Sequence, residues 1–529
     1  MVLRRVVPAF LTLMLLCSLL AAGLQRERQG PPPAATPATN QGPTESPARP
    51  VAPAGEARRE LEAPPVVTHH EIHAGGKTLR YTATAGTMPL KNADTGEVEA
   101  HIFYIAYTLD GQQPERRPLT FSFNGGPGSA SVWLHLGAIG PKRVRMQPDG
   151  MMPAPPYQLV DNEYTWLDQT DLVFIDPVGT GYSRAVKRDQ TRKFLGVRGD
   201  IESVGEFIRL YLGRYERWSS PLFMVGESYG TTRAAGLSGY LVEHGIAFNG
   251  IMLISSILNF ETTEFTPGND LPYLLFLPTY ADTAWYHKKQ PQDLLQNFSK
   301  MRSEVEQWVA TGYTEALAKG DRLTPQERAA AVEKLSRYTG LSKSYVEQSN
   351  LRIEESHFVK ELLRDENRTV GRLDSRFTGS DRSQIAETSR YDPSMSAIRP
   401  PYTAMFNQYV RTELGYKSDL EYYILGGGFR QEEWDWGVQR GGFPDTAQAL
   451  KDAFDKNPFM KLFVGSGYYD LATPYYATQY TLNHMGLDKD QHARVSLGYY
   501  GAGHMMYIQD ASLGELKKDV GAFIQGAMK

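Results

Sequence analysis

The chain has 529 residues, of which 41% are hydrophobic, 11% aromatic and 22% charged. Its 56 Lys and Arg against 60 Asp and Glu leave a formal charge of −4, which excludes a basic nucleic-acid binder and an acidic tail protein. The apolar content excludes a wholly disordered chain, and a single cysteine, Cys17, excludes an intramolecular disulfide.

Met1 to Gly23 carries Arg4 and Arg5, an apolar run from Val6 to Leu20, then Ala21-Ala22-Gly23. That is the layout of a secretory signal peptide cut after Gly23, and the run is too short for a comfortable membrane span. Leu16 is larger than the residue a lipoprotein site needs before its cysteine, so Cys17 reads as an apolar residue of the signal. The expectation is an exported chain, secreted or periplasmic, with no stable membrane span after cleavage. Leu24 to Pro65 holds ten prolines and no aromatic residue. Such a segment buries too little apolar surface to offset the entropy of ordering, which predicts a tether outside the fold.

Ordered sequence is expected from Val66. Thr68 to His73 and Lys77 to Ala85 flank Ala74-Gly75-Gly76 and predict a hairpin. Ala100 to Thr108 and Leu119 to Phe123 predict two further strands, the second running straight into Asn124-Gly125-Gly126-Pro127-Gly128. Short apolar strands then follow at Leu172 to Ile175, Leu222 to Val225, Ile251 to Ile254 and Leu462 to Val464. Helical patterns lie between the earlier ones, at Asp200 to Leu212 and Thr232 to His244. Buried strands alternating with helices predict an α/β fold with a mostly parallel sheet covered on both faces.

The gap between Ile254 and Leu462 reads as helical. Leu294, Leu295, Phe298, Met301, Val305 and Val309 recur at helical spacing, Thr324-Pro325-Gln326-Glu327 is an N-terminal capping sequence, and Tyr345 to Arg364 predicts another helix. Residues 266–400 are therefore predicted as a helical cap inserted between two parts of one core, 66–265 and 401–529.

Gly226-Glu227-Ser228-Tyr229-Gly230 follows an apolar strand and precedes a helix. G-x-S-x-G in that context is a nucleophile elbow: the glycines permit a turn too tight for a Cβ, and the serine is lifted clear of the backbone. The serine needs a base oriented by an acid, in the chain order Ser, acid, His. Asp470 lies past the end of the Leu462 to Val464 strand, and His504 lies in the glycine-flanked Gly501-Ala502-Gly503-His504-Met505 after Ala493 to Leu497. His484 and His492 lie in polar sequence, and Asp452 and Asp488 follow no apolar strand, so all four are weaker candidates. An oxyanion hole needs one amide after the nucleophile, Tyr229, and one from the loop after an early strand, which Asn124-Gly125-Gly126 supplies. His69, His70 and His73 lack a carboxylate at metal-site spacing and read as a surface strand. No metal or cofactor is expected.

Four segments together resemble the serine carboxypeptidase family: Asn124 to Ser129, Asp176-Pro177-Val178-Gly179-Thr180-Gly181-Tyr182-Ser183, Gly226 to Gly230, and Gly501 to Met505, in the family's order. The resemblance implies an α/β-hydrolase fold with an inserted helical cap, a triad of Ser228, Asp470 and His504, and oxyanion donors at Gly126 and Tyr229. It also implies that Asn124, the Gly125 backbone and Glu227 bind the terminal carboxylate of a peptide substrate. The chain departs from the family at Ser122 for a tryptophan, Ser129 for a cysteine, Ala138 for an acid that pairs with the Glu227 equivalent, and Tyr507 near a proline. With Ala138 in that place, Glu227 is expected to rely on burial alone to raise its pKa. The resulting expectation is a secreted serine-type carboxypeptidase acting on peptides. An esterase or acyltransferase on the same scaffold, or a non-catalytic cell-surface binding protein, are the alternatives.

Overall fold

The computed structural model describes residues 60–426, 428–438 and 442–529. The signal sequence, Cys17 and the tether up to residue 59 lie outside the described residues. Among the described residues a ten-stranded sheet forms the centre. Its strands are β1 (Val66–Ala74), β2 (Lys77–Lys91), β3 (Val98–Leu109), β4 (Leu119–Phe123), β5 (Asp171–Ile175), β6 (Leu222–Ser228), β7 (Gly250–Ser256), β8 (Lys461–Gly467) and β9 (Val495–Tyr500), with the short Arg184–Ala185 beside β3. Their spatial order is β1-β2-β3-β5-β4-β6-β7-β8-β9. The first three strands and the β3–β5 pair are antiparallel, and every pair from β5 to β9 is parallel. The antiparallel opening and parallel remainder match the change of pattern in the sequence.

The parallel strands are apolar on both faces because both faces are covered. Along β6, Phe223 and Val225 join one core cluster while Leu222 and Met224 join the other. Along β7 the same split separates Met252 and Ile254 from Ile251 and Leu253. This period of two places alternate side chains on opposite faces, where helices bury them. Helices α1 (Val197–Arg214), α2 (Tyr229–Glu243) and α7 (Ala447–Lys456) contribute to one side, and α6 (Pro393–Thr412) and α8 (Asp510–Ala527) to the other.

Between β7 and β8 stands the insertion, with its own apolar cluster built on α3 (Leu271–Tyr286), α4 (Phe298–Trp308) and α5 (Pro325–Thr339). The Thr324–Glu327 capping box forms as predicted. Three expectations need correction. The helix predicted over Tyr345 to Arg364 is two short ones, Lys343–Gln348 and Glu355–Glu361. Asn350 and Leu351 break it in left-handed conformation, with φ of 50° and 64°. The break lets the Leu351 carbonyl accept the buried Tyr313 hydroxyl at 2.7 Å, a tertiary bond no local pattern encodes. The cap boundary at residue 400 falls inside α6, which continues through Pro400 and Pro401 because Tyr402, Phe406 and Tyr409 are packed into the core. Finally, the chain joins the fold before Pro65. Leu61 is buried, its carbonyl accepts from Thr87, and Glu60 accepts the Ser418 hydroxyl at 2.6 Å.

Among the described residues, no helix is long and apolar enough to cross a membrane, and no His, Cys, Asp and Glu cluster could hold a metal ion.

Candidate active site

The parallel strands end along one edge of the sheet, and the motif residues collect there. β6 ends at Ser228, whose φ of 58° and ψ of −132° fall in a region that costs about 1–3 kcal/mol for a side-chain-bearing residue. The flanking glycines make that turn possible. A Cβ on Gly226 would stand 2.1 Å from the Gly230 carbonyl oxygen, and one on Gly230 would stand 2.9 Å from that of Phe123. Helix α2 starts at the next residue, so its amide-rich end points at the site.

The loop after β4 lies directly on the elbow. A Cβ on Gly125 would stand 2.4 Å from the Tyr229 amide nitrogen, and Gly126 has a φ of 101°. Only glycine permits both the approach and that conformation. The loop is tied down by residues that no motif reading identified. Arg233 of α2 donates to the Asn124 carbonyl at 2.6 Å and to the Asp200 carboxylate at 2.7 Å. Asp200 also accepts the Tyr229 hydroxyl at 3.2 Å. Arg233 and Asp200 are buried, so this pair joins the Gly-rich loop, the elbow helix and α1 in one unit. The available sequence signal was an arginine on an otherwise small and apolar helix, Gly230 to Leu237.

Asp470 sits in the turn after β8 with every carboxylate position used. Its Oδ1 accepts the Ala472 and Thr473 amides at 2.8 and 3.0 Å. Its Oδ2 accepts the Thr473 hydroxyl at 2.7 Å and the His504 Nδ1 proton at 2.8 Å. Both residues are buried. Burial pulls the His504 imidazole down, but the Asp470 charge and hydrogen bond outweigh it, Glu227 adds to the rise, and the net shift is upward. The His504 carbonyl accepts the Ser255 hydroxyl at 2.6 Å, and Ser255 is on β7, whose next residue, Ser256, pairs with Ser228 of β6. His484 and His492 are exposed, and Asp488 caps a short surface helix.

Glu227 is buried beside the nucleophile. Burial pushes its carboxyl up to about 7, opposed by His504, the Tyr507 hydroxyl and the Asn124 side chain. Burial is the main cause of the rise, as expected, and the Asp470 charge adds to it. Tyr507 donates to Glu227 Oε2 at 2.5 Å. Its ring packs against Gly137, where a Cβ would stand 2.5 Å from it. Asn124 uses its Oδ1 to accept the Leu134 amide at 3.1 Å, which fixes its amide group toward the same corner.

A serine on an elbow, a buried Asp–His pair and two converging backbone segments form the donor set of nucleophilic acyl transfer. The comparisons with known proteins agree. The serine carboxypeptidase family profile matches residues 84–511. Serine carboxypeptidase-like 13 of Arabidopsis thaliana is 27% identical over 175 residues, covering 31% of this chain and 38% of that protein. Serine carboxypeptidase-like 2 of the same plant is 31% identical over 136 residues, covering 25% of this chain and 29% of that protein. The chain thus spans roughly a third of the length of these curated relatives. A prohormone-processing carboxypeptidase from Saccharomyces cerevisiae superposes with a TM-score of 0.52 at 15% identity, over 84% of this chain and 91% of that one. That likeness speaks for the α/β-hydrolase fold. The profile match across most of the chain places the protein in the serine carboxypeptidase family.

Proposed function

We propose that the protein is an exported serine-type carboxypeptidase that releases C-terminal amino acids from peptides through an acyl-enzyme on Ser228. The observation that carries this reading is the buried Asp470–His504 pair, 2.8 Å apart, built onto the strands beside the elbow. Ser228 Oγ attacks the last peptide carbonyl while His504 takes its proton. The carbonyl oxygen, now an oxyanion, accepts the Gly126 and Tyr229 amides. The C–N bond then breaks, His504 returns the proton to the leaving amine, and water repeats the sequence on the ester to free the acid. Asp470 stays ionised and holds the imidazole.

Recognition of a C-terminus falls to Asn124, the Gly125 backbone and Glu227. A neutral Glu227 can donate to the substrate carboxylate, whereas an ionised one repels it. Tyr507 favours the ionised form, and this lends weight to a second reading, an esterase or acyltransferase with little use for a free carboxylate. Export rests on the charged, apolar and small-residue layout of residues 1–23. The deciding experiment compares kcat/KM for an N-blocked dipeptide as free acid and as amide. A clear preference for the free acid at about pH 5.5 supports the carboxypeptidase. Equal rates for acid and amide, or turnover of esters alone, support the second reading.

A further inference from the structure

A five-residue piece of the insertion touches both catalytic loops, although it lies about 100 residues from one and 130 from the other. It runs from Arg372 to Arg376. Its backbone accepts the Leu471 amide on the Arg372 carbonyl at 3.0 Å and the His504 amide on the Leu373 carbonyl at 2.6 Å, and the Ser375 amide donates to the Tyr469 carbonyl at 3.0 Å. The residues on either side of Asp470, and His504 itself, are thus bonded to one strip of chain.

Two side chains complete the arrangement. The Asp374 carboxylate accepts the Gly503 amide at 3.0 Å and binds Arg376 through Nε and Nη2 at 2.9 and 2.5 Å. Arg376 spans onward to the Gly501 carbonyl at 2.9 Å. Asp374 and Arg376 are 3% and 8% exposed, so the fork is shielded from the solvent that makes surface pairs weak. The fit leaves no slack: a Cβ on Gly503 would stand 2.4 Å from the Leu373 carbonyl oxygen. The segment is anchored in turn. Asp392 and Ser394, at the start of α6, accept the Leu373 amide at 3.2 and 3.1 Å. The Thr283 hydroxyl of α3 bonds to that of Ser375 at 2.6 Å.

We propose that Asp374 and Arg376 are positioning residues that clamp the Asp470 turn and the His504 loop together and so hold the imidazole in register with its acid. The proposal rests on the reading of Asp470 and His504 as triad members. It gives the insertion a duty besides packing its own apolar cluster. Buried packing alone would be served by apolar side chains, whereas a bidentate fork aimed at Gly501 and Gly503 fixes the backbone on both sides of Ala502. Displacement of a catalytic group by about 1 Å costs about 10²-fold, and that is the loss expected when the fork is removed.

The test uses the full chain, a small nitrophenyl ester and a fluorophosphonate probe. Asp374→Ala should lower kcat and the labelling rate of Ser228 about 10²-fold while KM stays within about twofold. The charged groups acting on His504 are Asp470 and Glu227, which raise its pKa, and Arg372, which lowers it. Loosening the Asp470 contact removes part of the rise, so the acid limb of kcat should move to lower pH. The downfield proton resonance of the His504 Nδ1–H bond should weaken with it. The double variant Asp374→Leu with Arg376→Leu removes the pair and both backbone bonds with no change in net charge and should reproduce these changes, which separates clamping from a simple charge effect. Arg376→Lys, which keeps the charge without the fork, should recover only part of the rate. If Asp374→Ala does not fold, the double variant and Arg376→Lys decide. Unchanged kcat and acid limb overturn the clamp, as does a rate loss with the limb and resonance unmoved. A wild type inert to fluorophosphonate would remove the triad reading and the clamp with it. A reactive wild type with equally reactive variants removes the clamp alone.

Discussion

The two ends of the site are built differently. At the triad end, the strand ends and glycine turns place the reacting groups, every hydrogen bond to Asp470 comes from its own turn or from His504, and the distant strip of residues 372–376 braces both loops mainly through backbone bonds. At the end proposed to bind the substrate carboxylate, a side chain 280 residues away in sequence supplies the key partner, Tyr507 to Glu227. Backbone geometry leaves little freedom, because Ser228 sits in strained conformation between glycines that admit no Cβ. The recognition proposed for Glu227 rests instead on a side-chain contact, the Tyr507 hydroxyl on its carboxylate. Chemistry and recognition are therefore separable by mutation, and the expected effects run from changes that abolish turnover to changes that leave it alone.

The triad comes first. Ser228→Ala and His504→Ala should each cost about 10⁵-fold or more in kcat, since such residues act as a unit, with far-ultraviolet circular dichroism unchanged. Either variant turning over near the wild-type rate would break the assignment at the chemical end. Gly126→Val should cost about 10²–10³-fold, the value of one lost oxyanion donor. Its Cβ would stand 2.8 Å from the Gly128 amide nitrogen and its φ of 101° suits no valine, so the melting temperature should also fall. Full activity in a folded Gly126→Val would remove its role.

Mutations at the proposed carboxylate end should move KM and leave the plateau of kcat. Glu227 titrates near 7, so KM for free-acid peptides should rise as pH passes through that value and Glu227 ionises. Glu227→Gln, neutral at every pH, should flatten the rise. Tyr507→Phe removes a bond that favours the ionised form, so the Glu227 pKa should go up and the alkaline limb should move up by about one pH unit. A limb that stays in place in Tyr507→Phe would show that the tyrosine only fills space.

Much of this was legible in the sequence alone, and for a physical reason. The elbow, the Gly-rich loop and the strand ends are local: a tight turn demands glycine, and a buried parallel strand demands an unbroken apolar run. Leu119–Phe123 matches its predicted bounds, and the other core strands differ from theirs mainly in length. What could not be read depends on distant partners. Asn350 tolerates the left-handed conformation that ends a helix, but nothing near it announces the buried hydrogen bond from Tyr313 that rewards the break. Nothing near Asp374 points to Gly503, and nothing near Tyr507 points to Glu227. The tether boundary depends on distant partners too, since Leu61 is buried and Glu60 accepts the Ser418 hydroxyl.

That boundary gives the smallest expected effect. Removing residues 24–59 should leave kcat, KM and melting temperature unchanged, as measured on the purified protein. Extending the deletion to residue 65 removes the buried Leu61 side chain and should cost about 1.5–3 kcal/mol of stability with kcat still unchanged. Loss of activity in the shorter deletion would show that the tether takes part in the site.

The central claim is that Ser228 removes single residues from peptide C-termini, and it is tested most directly by reading product masses from an N-blocked peptide over time. The account predicts a ladder shortened one residue at a time from the C-terminus, absent when the peptide is amidated at about pH 5.5 and absent with Ser228→Ala. Internal cleavage, an intact peptide beside rapid ester turnover, or a ladder that persists in Ser228→Ala would contradict it.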